Sequence, residues 1–246
     1  AEDGIRDYKV TGVQTCALPI FLSMDALRKL HNDSKRSLIK TWVPANSHVL
    51  DCGCGRGGDI HKWKFVKNVK VSAIDPDQES MREAHERSSE CGVGIWFLPP
   101  GDVRDAEKWG PFDVICYNFS MHYICASEQL YYDSIQAMSK SIKVNGRLIG
   151  IVPEKERIEQ LLPISGTFRD SLGNTLEKVG NRLNVSLIDG PFYKDGPKLE
   201  PILDGKKFIS DMMQLGFRMV VWEPMLDKPN GLVSDIYVKF VFVKYR

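Results

Sequence analysis

The chain has 246 residues, 43% hydrophobic and 26% charged, with 33 Lys and Arg against 32 Asp and Glu for a formal net charge of +1. Such a length suits one large domain, and the apolar content, with 11 Phe, 8 Tyr and 5 Trp, excludes global disorder. No apolar run reaches the roughly eighteen residues of a membrane span, and the near-neutral balance argues against a protein that coats long nucleic acid, so any polyanion it binds is expected to be short or locally held.

The first twenty residues, AEDGIRDYKVTGVQTCALPI, follow neither the helical nor the strand period and lack the blocks of a signal peptide. They also resemble a translated sequencing-adapter read. Residues 1–20 are therefore expected to be a non-native or disordered leader, with one domain over 21–246. From Ser23 the pattern changes. Ser23 is placed to cap a helix with Met24, Leu27, Leu30, Leu38 and Ile39 as its apolar residues, closed by Trp42 and ended by Pro44. A strand over His48–Asp51 runs into a Gly-rich turn and a helix over Asp59–Phe65. Lys70–Asp75 is a second strand, Gln78–Ser88 a charged helix, Gly94–Leu98 a third strand and Phe112–Tyr117 a fourth. Glu128–Ser141 is a helix with Leu130, Ile135 and Met138 inward, Gly146–Val152 a fifth strand and Glu154–Leu162 a helix. Residues of about 164–204 are Gly- and Pro-rich and read as an insert or lid. Lys206–Leu215 is the last helix, before strands near Phe217–Trp222 and Asp235–Val243. Strand, turn and helix in alternation predict an α/β fold, a doubly wound, mostly parallel sheet that ends in a strand pair.

The six cysteines, Cys16, Cys52, Cys54, Cys91, Cys116 and Cys125, contain no C-x-x-C pair. This argues against a zinc ribbon or a disulfide framework and for free thiols in a reducing compartment. No metal is expected.

In the turn Val49-Leu-Asp-Cys-Gly53-Cys-Gly55-Arg-Gly57-Gly58-Asp59, the glycines Gly53, Gly55 and Gly58 satisfy G-x-G-x-x-G. They permit a tight turn against which a ligand can lie, ahead of a helix N-terminus. Asp75, twenty-two residues beyond Gly53, is placed to take the two hydroxyls of a ribose. The pattern fits both a dinucleotide and S-adenosylmethionine. Asp51 favours the second, because a carboxylate in this turn repels a pyrophosphate and suits a cationic ammonium and sulfonium. Asp102, after the third strand, is the expected partner of the adenine amine, and Asp59 reads as a helix N-terminal charge.

Several segments in order resemble the mRNA cap (guanine-N7) methyltransferases. They are Asn32-Asp-Ser-Lys35-Arg-Ser37, the turn Asp51 to Asp59 with Lys62-Trp63, Asn118-Phe-Ser-Met-His122-Tyr123, Gly146 to Pro153, Gly190-Pro-Phe-Tyr-Lys with Leu199-Glu200-Pro-Ile-Leu, and Ser234-Asp-Ile-Tyr237. The resemblance covers about residues 24–246, and its wording is nearest to the C-terminal domain of capping enzymes from large cytoplasmic DNA viruses, asfarvirus-like. Asn118 stands where that family usually has Gln, and Pro201 follows Glu200 where an aromatic is common.

The resemblance implies a class I S-adenosylmethionine-dependent methyltransferase fold, seven-stranded with an antiparallel last strand and a substrate-side insert. It implies methyl transfer from S-adenosylmethionine to N7 of the 5′ guanosine cap, leaving S-adenosylhomocysteine. Such transfer works by alignment, worth about 7–11 kcal/mol of the barrier, without a general base. His122, Tyr123, Glu200 and Tyr237 are then expected to position guanine. Asn32, Lys35, Asp51, Gly53, Asp75, Asp102, Val103, Asn118 and Phe119 are expected to hold the cofactor, and Arg56 and Arg87 the cap phosphates. The partner is the capped 5′ end of RNA, in the cytoplasm or the nucleus. The triphosphatase and guanylyltransferase steps fall to the same longer polypeptide or to a partner, with no membrane involved. Two other readings stay open from the residues: a methyltransferase acting on a small molecule or protein, and a non-catalytic cofactor-binding scaffold.

Overall fold

The computed structural model describes residues 23–164, 166–188, 193 and 196–246. The leader, and most of Gly190-Pro-Phe-Tyr-Lys apart from Tyr193, lie outside the described residues.

Helix α1, Met24–Trp42, starts where Ser23 accepts a hydrogen bond from the Ala26 amide, and turns Leu27, Leu38 and Ile39 inward. Strand β1, His48–Cys52, is nearly continuously buried, as a strand covered on both faces must be. The helix expected over Asp59–Phe65 is instead a 3₁₀ run over Ile60–Phe65, and Asp59 makes no side-chain cap to it. The Asp59 side chain is drawn elsewhere, as described below. Strand β2, Lys70–Ile74, and α2, Gln78–Cys91, follow. The α2 helix outruns its expected end at Ser88 because Gly92, at φ 63°, supplies the left-handed stop. Strand β3 is Ile95–Phe97, α3 is Val103–Ala106, β4 is Phe112–Asn118 and α4 is Glu128–Ser141, capped by Ser127. Strand β5 starts at Ile142 rather than Gly146 and runs to Pro153, and α5 is Lys155–Leu161.

The segment expected as a lid contains β6, Thr167–Arg169, β7, Thr175–Val179, β8, Arg182–Ser186, and β9, Lys198–Pro201. These form a four-stranded antiparallel sheet in chain order. Glycines placed in its turns, Gly173 and Gly180, explain why the segment reads as loop by composition. Helix α6, Gly205–Gln214, and strands β10, Phe217–Pro224, and β11, Tyr237–Lys244, complete the chain.

The main sheet has the order β10-β11-β5-β4-β1-β2-β3. Pairing is parallel from β3 to β5, and β11 enters antiparallel between β5 and β10. The order reverses between β1 and β4, and the loops leaving those two strands are where such folds bind ligands. Apolar clusters fill both faces. Phe208 of α6 meets Phe242 of β11 edge to face at 5.5 Å, and Trp63 joins Leu38, Ile39 and Val49 beneath α1. A third cluster, Ile158, Leu176, Leu183, Val185, Val233 and Ile236, fastens the small sheet to α5 and to the turn before β11.

The glycine turn differs from the expected reading in one respect. Gly53, Gly55 and Gly57 have positive φ, whereas Gly58 does not. A Cβ on Gly57 would lie 2.4 Å from Ile60 Cδ1 and 3.1 Å from the Ala84 Cα, while a Cβ on Gly58 meets nothing within 4 Å. Gly57→Ala is therefore expected to cost about 1–3 kcal/mol in chemical denaturation, and Gly58→Ala less than about 0.5 kcal/mol. Equal costs would contradict this assignment of the third required glycine.

Candidate active site

Three short segments converge above the carboxyl ends of β1 and β4: the glycine turn, the Asn118–Tyr123 stretch and β9. Gly53 is the contact point. A Cβ there would stand 2.4 Å from Ser120 Cβ, and Ser120 Oγ donates to the Cys52 carbonyl at 2.8 Å. Only glycine lets the two loops approach this closely. Between them Phe119 takes φ 64°, a conformation costly for a bulky residue, of the kind found at functional sites. Its ring is thereby set 4.7 Å from Tyr237, 5.4 Å from His31 and 5.3 Å from the Lys35 ammonium.

The structure brings Glu200 together in one place with His122 and Tyr123, distant from it in sequence. Glu200, 6% exposed, comes from β9. Its Oε1 accepts from the hydroxyls of Tyr193, at 2.7 Å, and Tyr123, at 3.3 Å, and its Oε2 lies 3.1 Å from His122 Nε2. Burial pushes the Glu200 carboxyl up, but the adjacent His122 imidazole and the hydroxyls of Tyr193 and Tyr123 outweigh it and hold the group below the usual carboxylate range. An ionised carboxylate is thus kept in a nearly dry pocket, where a donor pair on a ligand would be chosen strongly. Both ring nitrogens of His122 are buried, and neither makes a well-directed hydrogen bond among the described residues, so Nε2 meets Glu200 as a close polar contact. The His122 and Tyr123 rings lie 4.2 Å apart, and Tyr123 keeps 39% of its surface exposed.

The carboxylates expected to face a cationic ligand are less uniform. Asp51 lies within β1, 5% exposed, and accepts from the Trp63 indole at 3.2 Å. Burial, then repulsion from Asp59, raises its pKa to about 7. Asp75 accepts from the amides of Gly55 and Asp77 at 2.8 and 2.9 Å, and burial raises it. Asp102 caps α3 and is gripped by the Arg104 guanidinium, with Nη2 to Oδ2 at 2.7 Å. A carboxylate oxygen accepts more than one donor, so these contacts leave capacity for a ligand. Val103 is fully buried within the apolar cluster around Leu50 and Leu98, so only its backbone can serve a ligand.

Asp59 departs from its sequence reading as a helix-end charge. Its Oδ1 lies 2.7 Å from both the Lys35 and the Lys62 ammonium, and its Oδ2 accepts from Asn118 Nδ2 at 2.9 Å. Burial opposes the charge, but Lys35 and Lys62 lower the pKa to about 2. Asn32 is half-buried on α1 one turn before Lys35. Arg56 is exposed and pairs with Glu83 of α2 at 3.5 Å. Arg87 is also exposed, one turn further along α2. The structure does not bring the two arginines into the Glu200 cluster.

Sequence reasoning quoted Lys62, Trp63 and Tyr193 within motifs but gave them no role, and it missed Asp59 as an inward ligand and His31, whose Nε2 lies 2.7 Å from Ser234 Oγ. Burial and the Lys35 charge lower the His31 pKa to about 4. For Trp63 and Lys62 the one signal was their place just after the glycine turn. The described cysteines are free thiols, as expected. No described group of His, Cys, Asp and Glu could hold a metal ion, and no described helix is long and apolar enough to cross a membrane.

Comparison with known proteins shows what the chain is similar to. Residues 19–92 match the model of the mRNA (guanine-N(7))-methyltransferase domain. The mRNA cap guanine-N(7) methyltransferase of Eremothecium gossypii is 30% identical over 172 residues, covering 62% of this chain and 39% of that protein. The one from Cryptococcus neoformans is 27% identical over 222 residues, covering 81% of this chain and 31% of that protein. The chain thus spans well under half the length of these relatives. Among solved structures, an S-adenosylmethionine-dependent methyltransferase from Clostridium acetobutylicum superposes with a TM-score of 0.61 at 14% identity, over 88% of this chain and 91% of that one. A Burkholderia thailandensis 1,6-didemethyltoxoflavin-N1-methyltransferase, solved with S-adenosylhomocysteine, gives 0.58 at 15% identity, over 88% and 79%. The fold is that of this methyltransferase class.

Asp51 supplies a check on the electrostatics. Folding raises its pKa, so the stability it contributes is full below the usual 3.8 and is lost as the pH rises through about 7. Asp51→Asn keeps an acceptor for Trp63 and is expected to remove that loss. Urea midpoints at pH 5 and pH 8 should then differ less in the variant than in the parent. An unchanged difference would mean that Asp51 is ionised throughout.

Proposed function

We propose that this chain, which belongs to the mRNA cap (guanine-N7) methyltransferase family, transfers a methyl group from S-adenosylmethionine to N7 of the guanosine that caps RNA. The observation that carries the reading is the buried, ionised Glu200 held by Tyr193, Tyr123 and His122. A carboxylate kept charged in that setting suits the adjacent N1–H and 2-amino donors of guanine and leaves adenine with an unpaired charge opposite it. Tyr123, partly exposed beside His122, would offer a face on which a purine ring stacks, and Tyr237, set against Phe119, would flank it.

The residues around Gly53 fit the cofactor. The close approach of backbone at Gly53 forms a cradle that a Cβ would fill, Asn118 Oδ1 is a buried acceptor unpaired among the described residues, and Asp75 follows β2, where a ribose is held in this fold. When bound, S-adenosylmethionine supplies an activated sulfonium methyl group. Guanine N7 is unprotonated at neutral pH, so the chain need hold no general base. Its task is to orient the base and exclude water. Lys35, Asn32, Asp51, Gly53, Asp102, the Val103 backbone, Asn118 and Phe119 would hold the cofactor. Arg56 and Arg87, exposed on the α2 side, would meet the cap phosphates. The capped acceptor presupposes triphosphatase and guanylyltransferase steps, in a longer polypeptide or a partner, with the cytoplasm or the nucleus as the setting.

Glu200→Gln replaces the acceptor pair with one acceptor and one donor of nearly equal size. It is expected to lower methyl transfer to a capped oligonucleotide by roughly two orders of magnitude or more, while calorimetric affinity for S-adenosylhomocysteine stays within about twofold. Undiminished transfer would remove the guanine assignment.

A further inference from the structure

We propose that the outer face shared by α1 and the 3₁₀ run, with Arg36, Lys40 and Lys64 around Phe65, seats the RNA chain that follows the cap, an inference that rests on the cap reading above. Between Asp33 and Asp75 the chain carries eight Lys and Arg but two acids, Asp51 and Asp59. Both acids are buried, 5% and 8% exposed. The near-neutral net charge thus hides a segregated one, with a basic surface on this stretch and an acidic surplus in the rest of the chain. Lys40, Lys64, Lys67 and Lys70 are exposed, and none makes an ion pair with a described carboxylate. By contrast Lys143, Lys155, Lys178, Lys206 and Lys207 each meet an Asp or Glu. The field of the basic face is felt at His61. Burial and then the Lys62 charge, joined by Arg36 and Lys35, lower its pKa against the opposing pull of Asp59. Like charges gathered in this way repel one another until an anion lies across them.

Phe65 favours a nucleic acid over an acidic protein as that anion. Its side chain is 50% exposed, and the Arg36 guanidinium and Lys40 ammonium stand 5.4 and 5.7 Å from its ring centre. Arg36 pairs with Asp33 at 2.6 Å and still reaches the ring. An aromatic face edged by cations is what a single strand uses: a base stacks while its phosphates meet the charges, whatever the sequence. On the 3₁₀ run, His61 and Lys64 are one turn apart and share a side. The face also leads away from the pocket. Near the top of α1, His31 meets Ser234 and the rings of Phe119 and Tyr237. At its lower end the Trp42 carbonyl accepts from Arg147 Nη1 at 2.6 Å. From His31 to Lys40 the helix rises about 14 Å. The 3₁₀ run itself leaves the glycine turn shortly after Arg56. A strand held by its cap at the pocket therefore finds its next cations along this face.

The test gives the whole chain two acceptors, a cap dinucleotide and a capped single-stranded oligonucleotide long enough to span the face. Lys40→Gln with Lys64→Gln is expected to raise KM for the oligonucleotide about fivefold or more, and to leave KM for the dinucleotide and kcat for both within about twofold. Fluorescence anisotropy with the same oligonucleotide lacking its cap should show the slope of log affinity against log salt reduced by about 1.4 for the two lost phosphate contacts. Phe65→Leu is expected to raise the oligonucleotide KM about fivefold or more with the salt slope unchanged. As a control, Lys206→Gln with Lys228→Gln removes the same charge elsewhere and is expected to leave both KM values within about twofold. An equal rise for both acceptors, no rise for either, or an equal rise in the control pair would overturn the inference and leave the cap reading in place. So would polyglutamate that binds the parent and is lost from the variants while RNA is not, which would give the face to an acidic protein. A parent that methylates neither acceptor would overturn the cap reading and this inference with it.

Discussion

Asp59 carries a full negative charge inside the protein because two ammonium groups and an amide surround it. Removing a carboxylate from water is costly unless opposite charges and donors face it, and here the facing groups come from three other parts of the chain. Lys35 belongs to α1, Lys62 to the 3₁₀ run, Asn118 to the end of β4, and Asp59 to the glycine turn itself. This one ion thus fixes where α1 crosses the sheet, how the glycine turn sits and where β4 ends. Removing any partner would leave a charge or an amide stranded, so the arrangement is close to all-or-none. Burial, with repulsion from Asp59 added, raises the neighbouring Asp51. The two carboxyls eight residues apart in sequence therefore hold opposite protonation tendencies, each set by its neighbours rather than by its own chemistry.

The second half of the site is organised around Glu200 and depends on the first through a few backbone contacts. Gly53 and Ser120 touch, Phe119 bends in a left-handed turn, and His122 and Tyr123 follow at once. A shift of the glycine turn would therefore move the His122–Tyr123 pair with it. Glu200 comes from a separate sheet, and β9 pairs it opposite Leu183, whose side chain lies in the cluster that fastens the small sheet to α5. Packing in one place thus supports charge placement in another.

The order of strands and helices was readable in the residues because each carries its own period and its own stop. Ser23, Ser127 and the alternation of buried strands with charged helices left little choice. The small sheet was not readable, since its short strands lie among glycines and prolines and alternate too briefly to outweigh a loop reading. In the site, His122, Tyr123 and Glu200 could be named from local wording, and their meeting followed from topology. Asp59 was misread for a physical reason. An acid next to a run of glycines has the same local signature whether it caps a helix or turns inward, and its partners lie at positions 35, 62 and 118. Trp63 and Tyr193 were likewise given no role, because their partners Asp51 and Glu200 are fixed only by the tertiary fold. The carboxylate crevice expected at the head of the sheet is correspondingly less anionic than its residue types suggest, since Arg104 occupies Asp102 and burial raises Asp51 and Asp75.

The placement of β11 bears on how the protein matures. This strand slots between β5 and β10, Tyr237 at its start stands against Phe119, and the turn before it packs on α5 and the small sheet. A nascent chain that has already released β1 to β10 still lacks the middle of one sheet flank and one wall of the pocket. Until the last strand emerges from the ribosome, β5 and β10 present open, apolar edges with no neighbour to pair. The direct partners of Asp59, namely Lys35, Lys62 and Asn118, all precede that strand, while the cluster beneath α1 includes Val241 of β11. Synthesis would thus release every direct partner of the buried ion before it releases the strand that closes the pocket beside Phe119.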